Sequence, residues 1–116
     1  MRDKIRKYLF DALSALNQIN EYFDKCPSFS YYDNTPILQD ATERNLEIIG
    51  EAIKKSLDLK IDLPITNARR IVNTRNKLIH GYDSVDNAEI YTIVVKHLPI
   101  LKSEIETLLN SGKEAV

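Results

Sequence analysis

Apolar residues return every third and fourth position along four separate stretches of this chain, and that period of 3.6 decides the fold class before any single residue is weighed. In the first stretch Ile5, Tyr8, Leu9, Ala12, Leu16, Ile19 and Phe23 mark one face of a helix over about residues 2–25. Phe10 and Leu13 widen that face, so it can be covered by two neighbours, one of which can belong to a second subunit. Cys26-Pro27 ends the helix, because proline disfavours helical geometry in the residue before it. A loop over residues 28–34 follows, and its Phe29, Tyr31 and Tyr32 can either stack on bases or pack over helix ends.

Thr35 as N-cap and Pro36 at the first helical position open the second helix. Leu38, Ala41, Leu46, Ile49, Ala52, Ile53 and Leu57 form its apolar side to about residue 57, and Gly50 on it permits close approach of another helix. Residues 56–65 connect, with a brief alternation at 59–63 that suggests a short extended piece. The third helix starts after Pro64, with Thr66 or Asn67 as cap, and ends at His80-Gly81. Asp86 with Glu89 three positions later resembles a capping box, and Ile90, Tyr91, Val94, Leu98, Leu101, Ile105 and Leu108 carry a fourth helix to about residue 110. Pro99 lies inside it and predicts a kink near Val95; residues 111–116 read as a frayed tail. The expected architecture is all-α, an up-down bundle of four main helices in one domain spanning residues 1–116.

Composition removes several function classes. A chain of 116 residues that is 43% hydrophobic with three glycines and four prolines can bury one core and is not disordered. No run of about 18 apolar residues exists, and the N-terminus leads into a charged amphipathic pattern, so a cytoplasmic location is expected. Cys26 is the single cysteine and His80 and His97 are the only histidines, which argues against an internal disulfide and against zinc chemistry; no cofactor is expected. Net charge is −1, yet residues 63–82 hold Arg69, Arg70, Arg75 and Lys77 without an acidic residue, a local +4 that leaves −5 elsewhere. A basic patch on an acidic body suits a phosphate-bearing ligand, although a solvated helix face shows the same charges.

The third helix concentrates the candidate chemistry. Ala68, Ile71, Val72, Arg75, Leu78, Ile79 and Tyr82 form one stripe, so Arg75 interrupts an apolar face. It requires a carboxylate, a phosphate or a route to water. Glu43, Glu47 and Glu51 stand four apart in a row on the second helix; Glu43 reads as solvated, and Glu47 or Glu51 as the partner of Arg75. Lys54 and Lys55 nearby also allow Glu51 to be a solvated ion pair. Arg69, Asn73, Asn76 and His80 make a second, polar stripe. His80 is five positions beyond Arg75 and therefore points about 140° away on an ideal helix. Either the helix ends near His80, as Gly81 at C′ allows, or a second copy supplies the missing group.

The run Arg75-Asn76-Lys77-Leu78-Ile79-His80-Gly81-Tyr82 has the form R-x4-H-x-Y. With Arg44-Asn45-Leu46-Glu47-Ile48-Ile49-Gly50-Glu51-Ala52 before it and Asp83-Ser84-Val85-Asp86 after it, the chain resembles the HepT-like toxins of the HEPN superfamily over nearly its whole length. The resemblance implies an all-α, homodimeric, metal-independent ribonuclease toxin whose partner is a minimal (MNT-type) nucleotidyltransferase antitoxin. It implies Arg75 and His80 as the catalytic pair and Tyr82 as the tyrosine to which the antitoxin transfers AMP. Beside it stands the residues' own chemistry. A histidine titrating near neutrality can move the protons of RNA transesterification, and an arginine fork can clamp the phosphate. Asn76, Glu47 and Glu51 would support them, and Arg69, Arg70 and Lys77 would contact RNA phosphates. The alternatives are a non-catalytic module of the same superfamily that binds a nucleotide or a nucleotidyltransferase, and a ligand-free helical dimer in which Arg75 is an ion pair.

Overall fold

The computed structural model describes residues 2–80 and 86–111. Among these, the elements are α1 (Arg2–Phe23), α2 (Phe29–Asp33), α3 (Pro36–Leu59), α4 (Ala68–His80), α5 (Asn87–Thr92), a π-helical turn (Ile93–His97) and α6 (Leu98–Asn110). The fold is all-α, as the apolar periodicity requires, and no strand occurs among the described residues. The extended piece expected at 59–63 is instead the end of α3 followed by turns, since four or five alternating residues without a sheet partner leave their backbone groups unpaired.

α1 and α3 form the central pair, α4 lies on α3, and α6 packs against α1. The Arg6 guanidinium near the start of α1 donates to the Leu109 carbonyl near the end of α6, 3.0 Å away. Tyr8 meets Lys55 of α3 in the same way, start against end, so α1 runs opposite to both neighbours. Leu9, Leu16, Ile19, Ile49, Ile53, Leu98 and Ile105 are fully buried where these helices meet. Phe10, which the sequence put on the broadened core face, is 53% exposed.

The segment 28–34 is a short helix instead of a loop. Ser28 caps it by accepting from the Tyr31 amide at 3.2 Å, and Tyr32 drops into the core against Phe23 and Tyr91. Packing over helix ends is thus the fate of Tyr32, while Phe29 meets Tyr91 edge-on at 5.4 Å and Tyr31 stays exposed. At the start of α4, Asn67 takes the left-handed conformation (φ 64°), which asparagine tolerates better than most residues, and its carbonyl accepts the Ile71 amide.

Pro99 disturbs the last helix at the expected place. A proline there cannot donate to Val95 and its ring crowds that carbonyl, and the turn before it widens so that the Leu98 amide donates to Ile93. The Asp86 cap is also formed, its carboxylate accepting from the Glu89 amide at 2.8 Å. No helix among the described residues is long and apolar enough to cross a membrane.

Candidate active site

α4 is seated on α3 through a glycine. A Cβ at Gly50 would lie 2.2 Å from Arg75 Cβ and 2.8 Å from its Cγ, so the stem of Arg75 occupies the space a side chain would need. That contact carries the guanidinium past the α3 backbone to the next residue, Glu51, whose Oε2 accepts from Nη2 of Arg75. Nη1 donates to Asn76 Oδ1 at 2.9 Å, while Nε is buried without a partner among the described residues. Of the two carboxylates the sequence left open, Glu51 is the one paired with Arg75. It also has Lys55 Nζ at 3.7 Å, so the solvated-pair reading of Glu51 is satisfied by the same carboxylate.

Glu47 does not pair with Arg75 but lines the same open groove of about 580 Å³ between α1 and α3. Arg75 and Ile79 of α4 form one of its walls. Glu43, expected to be solvated, is half-buried; burial first, then Asp40 and Glu47, push its carboxyl above the usual carboxylate range. Burial makes the charged form costly, and Asp40 and Glu47 on the same helix add repulsion to it.

The remaining candidates lie on other faces of α4. His80 is its last residue, exposed, and does not line the groove that Arg75 borders; on a regular helix the two side chains leave the axis about 140° apart. Arg69 is exposed on the polar stripe shared with His80. Arg70 donates to His97 Nε2 at 3.3 Å, which puts the neutral ring's proton on Nδ1. Partial burial and then the charges of Arg70 and Lys96 hold His97 below the usual histidine range. Lys77 lies 3.6 Å from Glu89 of α5. Tyr82, the expected modification site, and Gly81, the expected C′ residue, lie outside the described residues. Within them, no three of His, Cys, Asp and Glu gather as metal ligands do.

Sequence reasoning passed over the α1 side of the groove. Tyr8 falls on the apolar stripe of α1 and packs partly against the core, yet its ring also lines the groove, with Lys55 Nζ 5.7 Å from its centroid. The only signal was that Lys7, Asp11, Ser14 and Gln18 repeat at helical spacing beside it.

The family model for "Ribonuclease HepT-like" proteins matches residues 12–108, most of the chain and all of the groove except Lys7, Tyr8 and Asp11. The chain belongs to the HepT-like family. Among its relatives, "Probable ribonuclease HepT" of Thermococcus cleftensis is 35% identical over 109 residues, 93% of this chain and 98% of that one. "Putative RNase MJ0125" of Methanocaldococcus jannaschii is 31% identical over 111 residues, 95% of each chain. "Putative RNase TTE0752" of Caldanaerobacter subterraneus is 32% identical over 87 residues, 74% of this chain and 78% of that one. No solved structure gives a significant match. The run that carries the family resemblance in this HepT-like chain therefore opens with Arg75 over Gly50 and leaves α4 at His80.

Proposed function

We propose that this HepT-like protein is the ribonuclease toxin of a toxin–antitoxin pair, cleaving RNA without a metal at a cleft between two copies of the chain. The observation that supports it best is the setting of Arg75, a guanidinium braced by Glu51 and Asn76 at the wall of an open groove. Such a fork is fixed before substrate arrives, so little reorganisation is needed when phosphate charge develops.

The reaction uses the RNA's own 2′-hydroxyl. A base takes its proton, the 2′ oxygen forms a bond to the adjacent phosphorus, and the bond from phosphorus to the 5′ oxygen breaks. An acid delivers a proton to that oxygen, leaving a 2′,3′-cyclic phosphate and a free 5′-hydroxyl. His80 serves as base or acid, worth about 10²–10⁴-fold, and Arg75 stabilises the charged phosphorane. Because the two side chains diverge on one helix, His80 of one copy working with Arg75 of another accounts for the pair. The RNA backbone beyond the cleft would run over Arg69, Arg70 and Lys77. Transfer of AMP from ATP to Tyr82 by the nucleotidyltransferase partner would place a bulky anion beside this site and exclude RNA phosphate.

The test is cleavage of single-stranded RNA in the presence of EDTA, with sedimentation of the same samples. Expected are a dimer, cyclic-phosphate ends, and loss of cleavage in His80→Ala. Intact RNA with wild type, or a monomer that cleaves at full rate, would overturn the proposal.

A further inference from the structure

We infer that the groove between α1 and α3 is the subsite for the nucleotide next to the phosphate held by Arg75, with Tyr8 as its stacking surface and Arg44 as a second phosphate contact. This rests on the ribonuclease reading above and adds to it a binding site on α1, a helix that takes no part in the R-x4-H-x-Y run.

The charges in the groove are unequally matched. Lys7 has Asp11 at 3.2 Å, Lys55 has Glu51 at 3.7 Å, and Arg75 has Glu51. Arg44 and Glu47 line the same groove and make no ion pair among the described residues. With both counted, the groove holds four cations against three carboxylates, and of these two unpaired side chains Arg44 is the one left exposed. Arg44 is therefore a cation whose countercharge an anionic ligand can supply. The ring of Tyr8 is presented to the groove, since the Lys55 ammonium reaches its face at 5.7 Å. An exposed cation–π contact is weaker than the stacking of a base on an aromatic ring, so a nucleobase can displace Lys55 from that face. Ser14 and Gln18 continue along α1 with a hydroxyl and an amide, groups that both donate and accept and so can meet a base edge.

The volume of about 580 Å³ falls within the range of sites that enclose small-molecule-sized groups. A helix from a second copy is the poorer occupant. Burying the groove beneath one would strip water from Lys7, Asp11, Arg44, Glu47 and Lys55 together, and charges removed from water without new partners are strongly unfavourable. A single RNA strand leaves those groups partly hydrated and brings its own negative charge to Arg44.

The experiment is fluorescence anisotropy with a fluorescein-labelled single-stranded oligonucleotide of 2′-deoxy sugars, which lacks the nucleophile and cannot be cleaved by this chemistry. Tyr8→Leu and Arg44→Gln are each expected to weaken binding about tenfold, against less than twofold for Lys54→Gln, a cation of α3 outside the groove. An abasic site moved along the probe should find one position that weakens wild type and leaves Tyr8→Leu unaffected, and Tyr8→Phe should restore binding. Tyr8→Leu and Arg44→Gln binding as tightly as Lys54→Gln would overturn the inference. So would a change in their sedimentation, which would make the groove a subunit interface. Arg44 is exposed, so its variant reports on the ligand even where Tyr8→Leu lowers stability. Wild type that binds the probe but leaves ribose RNA intact would refute the ribonuclease reading and leave this subsite standing. Wild type that cleaves while both variants bind normally would do the reverse.

Discussion

Gly50→Ala adds one methyl group at the point where α4 touches α3. The new Cβ would stand 2.2 Å from Arg75 Cβ, 2.8 Å from Arg75 Cγ and 3.3 Å from the Ile71 carbonyl oxygen, whereas ordinary contact begins near 3.4 Å. Arg75 Cβ is fixed to its backbone, so no rotamer change relieves the first clash and α4 must retreat by about 1.4 Å to reach roughly 3.6 Å. Overpacking of this kind costs about 1–3 kcal/mol, and the steepness of the clash argues for the upper end. Replacing a helical glycine by alanine returns about 1 kcal/mol. The net is a loss of about 2 kcal/mol. With an unfolding entropy of about 2.1 cal/mol/K per residue over 116 residues, that lowers Tm by about 8 °C. The same retreat draws the guanidinium away from Glu51, and a misplacement of about 1 Å in a positioned group can lower turnover about 10²-fold. Thermal melting followed by circular dichroism and cleavage of a single-stranded RNA measure the two effects separately. A Gly50→Ala protein as stable as wild type and fully active would refute the argument that Gly50 sets the depth of Arg75.

Arg75→Ala should lower RNA cleavage by about 10²–10³-fold while keeping the helical circular dichroism. The side chains of Arg75 and Glu51 retain 21% and 36% exposure, so breaking their pair costs about 1 kcal/mol or less, and an unfolded variant would point to a structural salt bridge instead. Glu43 has a raised folded pKa, so ionising it opposes folding above its unfolded value of 4.5; Glu43→Gln should gain stability at pH 7 and match wild type below about pH 4, as read from urea midpoints. His97 has a lowered folded pKa, so the stability linked to it is present above 6.5 and lost as pH falls from there through the folded value; that loss should be absent from His97→Asn. Tyr82→Phe should remain a ribonuclease yet acquire no adenylyl mass on incubation with the cognate nucleotidyltransferase, ATP and magnesium, and equal modification of both proteins would remove Tyr82 from the scheme.

The all-α class, the four helical stretches and most of their limits are legible in the chain because each depends on neighbours within about four residues. The spacing of Leu9, Leu16 and Ile19, the proline at 36, the Asp86 cap and the disturbance ahead of Pro99 are local events, and each recurs in the structure. The Arg75, His80 and Tyr82 candidates were equally visible, since residue type and order suffice to name them. Burial and partnership were not. Which of Glu47 and Glu51 meets Arg75 depends on where α4 crosses α3, and that crossing is set by the missing side chain of Gly50, a steric fact between residues about 25 positions apart. The fate of Glu43, the docking of Arg70 onto His97 and the opening of Tyr8 onto a groove were likewise decided by packing between helices. A helical period gives the direction in which a side chain leaves its own axis, but only the neighbouring helix determines what it meets there.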